Sequence, residues 1–231
     1  MSSSGTYNFQ ATNGQLLISS FERIGVHAPS LRQEHMVTAR QELNYLFVEF
    51  SNKGVNLWKV TLTSLPMVSG TATYSVPANI IMILDAYISV NQGSSNQTDL
   101  YITPVSRTEY ASYANKQTQG RPTSFWLNRQ INPIITMWPV PDSNVPYTLN
   151  YYSFVQLQDA NLAGGETPDI PYRWTDAIVA GLSYRLARVY KPELEAVRKV
   201  DAKEAWITAA SQDTENISLS LAPTIKSYYR R

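Results

Sequence analysis

The chain contains no cysteine and only two histidines. The first absence removes disulfides, thiolate metal sites and cysteine nucleophiles. His27 and His35 flank a helix start, with no carboxylate at ligand spacing beside them. A zinc site needs three or four ligands, so no metal is expected. There is no G-x-S-x-G, and any serine triad would have to take one of these two histidines as its base. Neither G-x-x-x-x-G-K-[ST] nor G-x-G-x-x-G occurs, so no nucleotide cofactor is expected, and Gly164-Gly165 reads as a flexible turn.

Charge is scarce as well, at 16% of residues against the usual ~25%. With 19 basic and 18 acidic residues the net charge is +1, so no global field attracts nucleic acid. The longest strongly apolar run, residues 80–84, is far short of the ~20 residues of a membrane span, and no membrane partner is expected. The opening MSSSGTYNFQATNGQ has neither a basic n-region nor an apolar h-region. The expectation is a soluble protein used without a targeting segment. No internal repeat is visible.

What is present is enough for a core: 231 residues, 43% of them hydrophobic, in one or two domains. The place of the missing charges is filled by Ser, Thr, Asn, Gln and 15 Tyr, a surface suited to packing against neighbours.

Residues 1–11 are Ser/Gly-rich and expected to be flexible. Thr12-x-x-Gln15 predicts a capping box for a helix to about Gly25, with Leu17, Phe21 and Ile24 as its apolar stripe. Pro29-Ser30, with Ser30-x-x-Gln33 as a second box, predicts a helix that carries Leu31, Met36, Ala39, Leu43, Leu46, Phe47 and Phe50 and stops at Gly54. From Val55 the pattern turns to period two: residues 57–62 with Trp58, Val60 and Leu62 on one face, then 71–76 and 80–90. A polar tip at 91–97 joins the last of these to 100–103 as a hairpin. Ser106-x-x-Glu109 predicts a short helix through Tyr110 and Tyr113.

Residues 120–152 read as a three-strand meander, with runs at 124–128, 134–138 and 147–152. Pro133, Pro139, Pro141 and Pro146 fall between the runs, as strands require. Ile134, Thr136 and Trp138 share one face and Ile135 and Met137 the other; both are largely apolar, which predicts cover on both sides or a partner chain on one.

Residues 159–169 form a connector with Gly164-Gly165 and Pro168. Pro171 opens a third helix with Trp174, Ile178, Leu182, Leu186 and Val189 at helical spacing, and Ala177, Ala180, Gly181 and Ala187 would let another helix come close. A fourth runs from Glu193 to about Ile217, with an apolar face from Leu194 and Val197 to Ala202, Ala205, Ala209 and Ala210. The fold class expected is α+β: a helical bundle of N- and C-terminal pairs, 12–54 and 168–217, with an antiparallel β domain at 55–167 inserted between them, and a tail at 218–231.

Three chemistries can be weighed on this frame. Glu166 and Asp169 could serve a carboxylate-based peptidoglycan hydrolase, but acids just before a helix more often cap it. Trp126, Trp138, Tyr151 and Tyr152 could form a carbohydrate- or fibre-binding surface, or a subunit or tail interface, although aromatics on strands are more often core. In the last two helices Arg173, Arg185, Arg188, Lys191, Arg198, Lys199 and Lys203 are interleaved with Asp176, Glu193, Glu195, Asp201 and Glu204, a solvated or intersubunit face rather than a DNA groove. The tail residues Ile225, Lys226, Tyr228, Tyr229, Arg230 and Arg231 combine aromatic and basic chemistry, suited to docking on an acidic protein surface.

An ordered series runs along the chain: Glu109-Tyr110, Gly120-Arg121-Pro122, Phe125-Trp126-Leu127, Arg129, Trp138-Pro139-Val140-Pro141-Asp142, Tyr147-Thr148-Leu149, Tyr151-Tyr152, Pro168-Asp169-Ile170-Pro171, Trp174, Ala177 and Leu182 to Leu186-Ala187. It resembles the head-to-tail adaptors (connector, or tail tubular A-like proteins) of short-tailed bacteriophages. The resemblance implies a virion protein of the head-tail neck, made in the host cytoplasm, with no catalysis. It implies a homo-oligomeric ring, typically of twelve copies, below the portal protein ring. Such a ring extends the channel through which double-stranded DNA passes without sequence-specific binding and supports tail nozzle or fibre proteins. In such proteins the C-terminal segment clasps the portal, which would give residues 218–231 their role.

Overall fold

A computed structural model describes residues 5–7, 9–54, 56–161 and 165–214. Along the chain lie α1 (Asn13–Arg23), a 3-10 turn (Ala28–Ser30), α2 (Gln33–Lys53) and a second turn (Leu57–Lys59). The strands begin with β1 (Val60–Pro66), β2 (Thr73–Ser75), β3 (Ile80–Val90), β4 (Thr98–Tyr101) and β5 (Thr103–Pro104). After α3 (Arg107–Ser112) come β6 (Gln119–Gly120), β7 (Ser124–Asn128), β8 (Ile134–Trp138), β9 (Val140–Pro141) and β10 (Tyr147–Val155). The chain closes with 3-10 turns at Tyr172–Trp174 and Pro192–Leu194, which lead into α4 (Thr175–Tyr190) and α5 (Glu195–Ser211). The protein is thus mixed α+β.

The local signals of α1 act as read. Thr12 Oγ1 accepts the Gln15 N–H at 3.3 Å and Gln15 Oε1 accepts the Thr12 N–H at 2.9 Å. At the other end Val26 N–H reaches Phe21 O and Gly25 N–H reaches Glu22 O, a Schellman closure that needs a left-handed residue, here Gly25 at φ 77°. α2 starts differently from the expectation. Ser30 donates its hydroxyl to His27 O inside the 3-10 turn, and the helix begins only at Gln33, where His35 Nδ1 accepts the Arg32 N–H at 3.0 Å. α5 also ends earlier than expected, at Ser211, where the Gln212 N–H closes on Ala209 O and Ala210 O.

Helices α1, α2 and α5 each pack on α4 and share one hydrophobic cluster, which includes Phe21, Leu43, Leu46, Phe50, Ile178, Leu182 and Ala209. α4 is buried without a break from Ala177 to Ser183 because its small residues let neighbours approach. A Cβ on Gly181 would stand only 3.0 Å from Leu46 Cδ1 and 3.1 Å from Cδ2. At the α1–α4 crossing, Ser183 Oγ donates to Val179 O and Ser20 O, and Ser20 Oγ donates to Leu16 O, so both buried hydroxyls are satisfied.

The strands form an antiparallel sheet, β1-β10-β3-β4, and a mixed one, β2-β8-β7-β5, in which β5 runs parallel to β7, plus the small parallel pair β6-β9, so the expected antiparallel block is mixed. The inner faces of the two larger sheets meet in a second cluster: Ala86, Ile88, Leu149 and Tyr151 from one, Tyr74, Phe125, Ile135 and Met137 from the other. On the first sheet a polar chain crosses all four strands. Ser64 donates to Asn150, Asn150 donates to Ser89, and Ser89 donates to Asp99.

The three-strand meander is therefore corrected to a hairpin. β7 and β8 pair antiparallel, but β10 leaves for the centre of the other sheet, between β1 and β3. Pro139, Pro141 and Pro146 interrupt the return path, and β9 pairs with β6 instead. The stripe Trp58, Val60, Leu62 is corrected too. Trp58 lies in a 3-10 turn against the helical cluster, Leu62 is 49% exposed, and the first strand starts at Val60.

Gly181→Val is expected to overpack the α2–α4 contact and destabilise by about 1–3 kcal/mol. Urea denaturation should show the Gly181→Val, Leu46→Ala double variant less destabilised than the sum of the single changes, because the missing leucine leaves room for the added methyls.

Candidate functional site

The four strand aromatics do not form one patch. Trp126 and Trp138 share one face of β7 and β8, with register Ser124↔Trp138 and Trp126↔Thr136. α3 and the loop after it lie on that face. Tyr110 stacks on Trp126 with centroids 5.6 Å apart, and Tyr113 meets Trp138 at 4.2 Å. Trp138 Nε1 donates to Asn115 O at 3.0 Å, and Lys116 Nζ donates to Ala111 O and Tyr113 O. These rings bind α3 to its own sheet and remain half-buried. Tyr151 is 1% exposed, a core residue with no surface to offer, because its position faces the opposite sheet. Tyr152, one residue on, is 39% exposed and pairs with Leu62 across the strands. Tyr110 and Tyr113 were legible as helix residues, but their partnership with the two tryptophans depends on where α3 docks. The tail residues Ile225, Lys226, Tyr228, Tyr229, Arg230 and Arg231 lie outside the described residues.

The two loop acids open onto one cleft of about 910 Å3, also lined by Asn13, Arg40 and Asn44. Neither caps α4, contrary to the expectation, since that helix has no side-chain cap; Glu166 instead serves α1, its backbone carbonyl accepting the Asn13 N–H at 2.8 Å. Asp169 forms an ion pair with Lys59 and accepts the Gln158 N–H at 3.3 Å. Glu166 accepts from Asn161 Nδ2 at 3.3 Å. The connector carries them sideways onto the start of β1 and back onto its own loop, away from the helix axis. His35 is used inside the helical layer, its ring edge-on to Tyr190 at 5.1 Å.

The helical layer exposes further apolar side chains, and among them Val197, expected on the apolar face of the last helix, is instead 54% exposed. On α2 these are Val37, Tyr45 and Val48, and on α5 they are Val197, Val200 and Ile207, between 38% and 60% exposed. They sit at helical spacing on faces turned away from α4, so each helix is apolar on two sides. Between α2, α4 and α5 runs a groove of about 350 Å3 with Leu46, Phe50, Gly181 and Trp206 at its base. Its α2 edge is held by an ionic cluster: Arg185 bonds Glu42 at 3.1 Å and Glu49 at 2.6 Å, and Lys53 bonds Glu49 at 2.6 Å. The sequence signal was there, as apolar residues outside the buried stripe, but only docking on α4 decides which stripe is left over.

No helix among the described residues is long and apolar enough to cross a membrane. The sequence model of the SU10 adaptor protein family matches residues 36–222. No curated protein matches the chain.

The ionic cluster makes the helical layer sensitive to acid. Burial pushes the Glu49 carboxyl up, but hydrogen bonds from Lys53 and Arg185, together with their charges, outweigh burial and hold it below its ordinary value of 4.5. The folded state then binds fewer protons than the unfolded one below that pH. Stability contributed above about pH 4.5 is lost as pH falls through the folded value. The Glu49 side chain is 38% exposed, so solvent limits the effect to roughly 1 kcal/mol. Thermal melts from pH 6 to pH 3 should fall less steeply for Glu49→Gln than for the wild type.

Proposed function

Because the chain belongs to the SU10 adaptor protein family, matched over residues 36–222, and is a phage head-to-tail adaptor, we propose that its task is structural: a ring below the portal. The ring extends the DNA channel and carries the tail nozzle or fibres. It contains several copies, typically twelve in proteins of this kind, and sits in the virion neck. The family match carries this reading. It is supported by two different exposed apolar stripes, Val37, Tyr45 and Val48 on α2 and Val197 and Val200 on α5 outside the groove, since a closed head-to-tail ring needs two unlike faces on each subunit. In this reading the helical layer supplies ring walls and the β part an outward platform, as two units with the strands inserted between the helix pairs. The near-neutral charge, +1, lets duplex DNA slide without strong binding.

A carboxylate hydrolase is less well supported, because Asp169 is already paired with Lys59. A carbohydrate module is likewise weakened by the use of Trp126 and Trp138 in seating α3.

Light scattering on the purified 26.0 kDa chain, alone and mixed with a portal ring, tests the proposal. The expected result is many copies bound per portal, or a ring formed without it. A monomer that ignores the portal overturns the reading. Deleting residues 218–231 should leave the circular dichroism and melting temperature unchanged and weaken portal binding. Equal binding by the truncated chain removes the docking role assigned to Ile225, Lys226, Tyr228, Tyr229, Arg230 and Arg231.

A further inference from the structure

The groove between α2, α4 and α5 combines an apolar floor with a mainly basic rim. Three lysines, Lys53, Lys199 and Lys203, line it against a single carboxylate, Glu49. Glu49 is already shared between Lys53 and Arg185. Lys53 is further committed: its Nζ lies 5.2 Å from the Trp206 ring and 5.4 Å from Phe50. Lys199 and Lys203 are exposed, one turn apart on the same edge of α5, and make no ion pair with any described residue. Like charges at that spacing weaken a helix slightly, and of the two only Lys199 has a carboxylate four residues before it on α5, Glu195. Below them Ile207 stays 50% exposed beside the floor residues.

We propose that this groove docks an acidic amphipathic segment of a partner protein, with apolar side chains seated over Trp206 and Ile207 and carboxylates on Lys199 and Lys203. Charge decides against the chain's own tail as the occupant, since residues 215–231 carry Lys226, Arg230 and Arg231 against one acid, Glu215. The exposed α2 stripe of a second copy is also a poor match, since it is Glu34, Val37, Gln41, Tyr45, Val48 and Asn52, with one carboxylate. The volume, about 350 Å3, is at the lower end of the ~300–1,000 Å3 of ligand pockets, which suits a few anchoring side chains of a segment laid along α5. The proposal deepens the adaptor reading by giving the chemistry of one partner, and it is testable on the isolated chain.

The probe is a labelled synthetic peptide with leucines at helical spacing between glutamates. The control is the same peptide with lysines in place of the glutamates. Fluorescence anisotropy with the full chain is expected to show the glutamate peptide binding at least tenfold more tightly, and less tightly as salt rises. The Lys199→Glu, Lys203→Glu variant changes only exposed side chains, and its fold is checked by circular dichroism. It should reverse the order of the two peptides, while Ile207→Ser weakens both. The proposal is overturned if the double variant binds the glutamate peptide as well as the wild type does, or if the two peptides bind the wild type equally. It is also overturned if light scattering shows self-association that Ile207→Ser abolishes and neither peptide competes with, which assigns the groove to a second copy. A chain that ranks the peptides as expected yet ignores every portal ring loses the adaptor reading and keeps the groove. A portal binder that fails to rank them loses only the groove.

Discussion

The close approach of α2 to α4, with Leu46 seated where a side chain on residue 181 would otherwise be, sets the geometry of the helical layer. A helix flanked by neighbours on several sides must be narrow, and Ala177, Ala180, Gly181 and Ala187 make α4 narrow where it is most enclosed. α1 crosses it through the paired serines Ser20 and Ser183, whose hydroxyls bond backbone carbonyls rather than occupying space. α5 follows after a short 3-10 turn and packs on the remaining side. Burying the cluster around α4 stabilises by roughly 1.5–3 kcal/mol for each large side chain, more than isolated short helices could supply from propensity.

Once α4 is surrounded, the exposed surface is largely decided. α2 and α5 spend one apolar face on α4 and are left with a second, Val37, Tyr45 and Val48 on one and Val197, Val200 and Ile207 on the other. The groove between them inherits its floor from the core and its rim from the solvated lysines of α5. The sandwich is joined to this layer at the start of β1, where Trp58 packs on Trp174 at 5.0 Å and Lys59 meets Asp169. Asp213, just past α5, accepts the Leu57 N–H and pairs with Arg173, so the end of the last helix is tied to the entry of the first strand.

Local signals were legible where a few neighbouring residues settle the outcome. The Thr12 and Ser106 caps, the glycine closure at Gly25, the helix stop at Gly54 and the long strand over Ile80–Val90 all stand as the sequence indicates. The cap read at Ser30 failed because a rival acceptor, His35, sits at the competing position three residues past Arg32. The Trp58, Val60, Leu62 stripe failed because a period of two cannot tell a strand from a turn whose tryptophan is claimed by another core. Of the strand aromatics, Tyr151 and Tyr152 were grouped in one candidate surface, but successive residues of a strand face opposite sides, and only the packing of the two sheets shows that Tyr151 is the buried one.

By itself the sequence determined the mixed α+β class, the succession of two helices, a strand-rich middle and two further helices, and membership of an adaptor family, because capping, periodicity and motif order are properties of neighbours along the chain. Only the tertiary structure decided that the runs at 134–138 and 147–152 belong to different sheets, that Trp126 and Trp138 hold α3, and that Asp169 answers Lys59 rather than a helix end. Those outcomes depend on which apolar faces meet across long stretches of chain, and burial is blind to sequence distance.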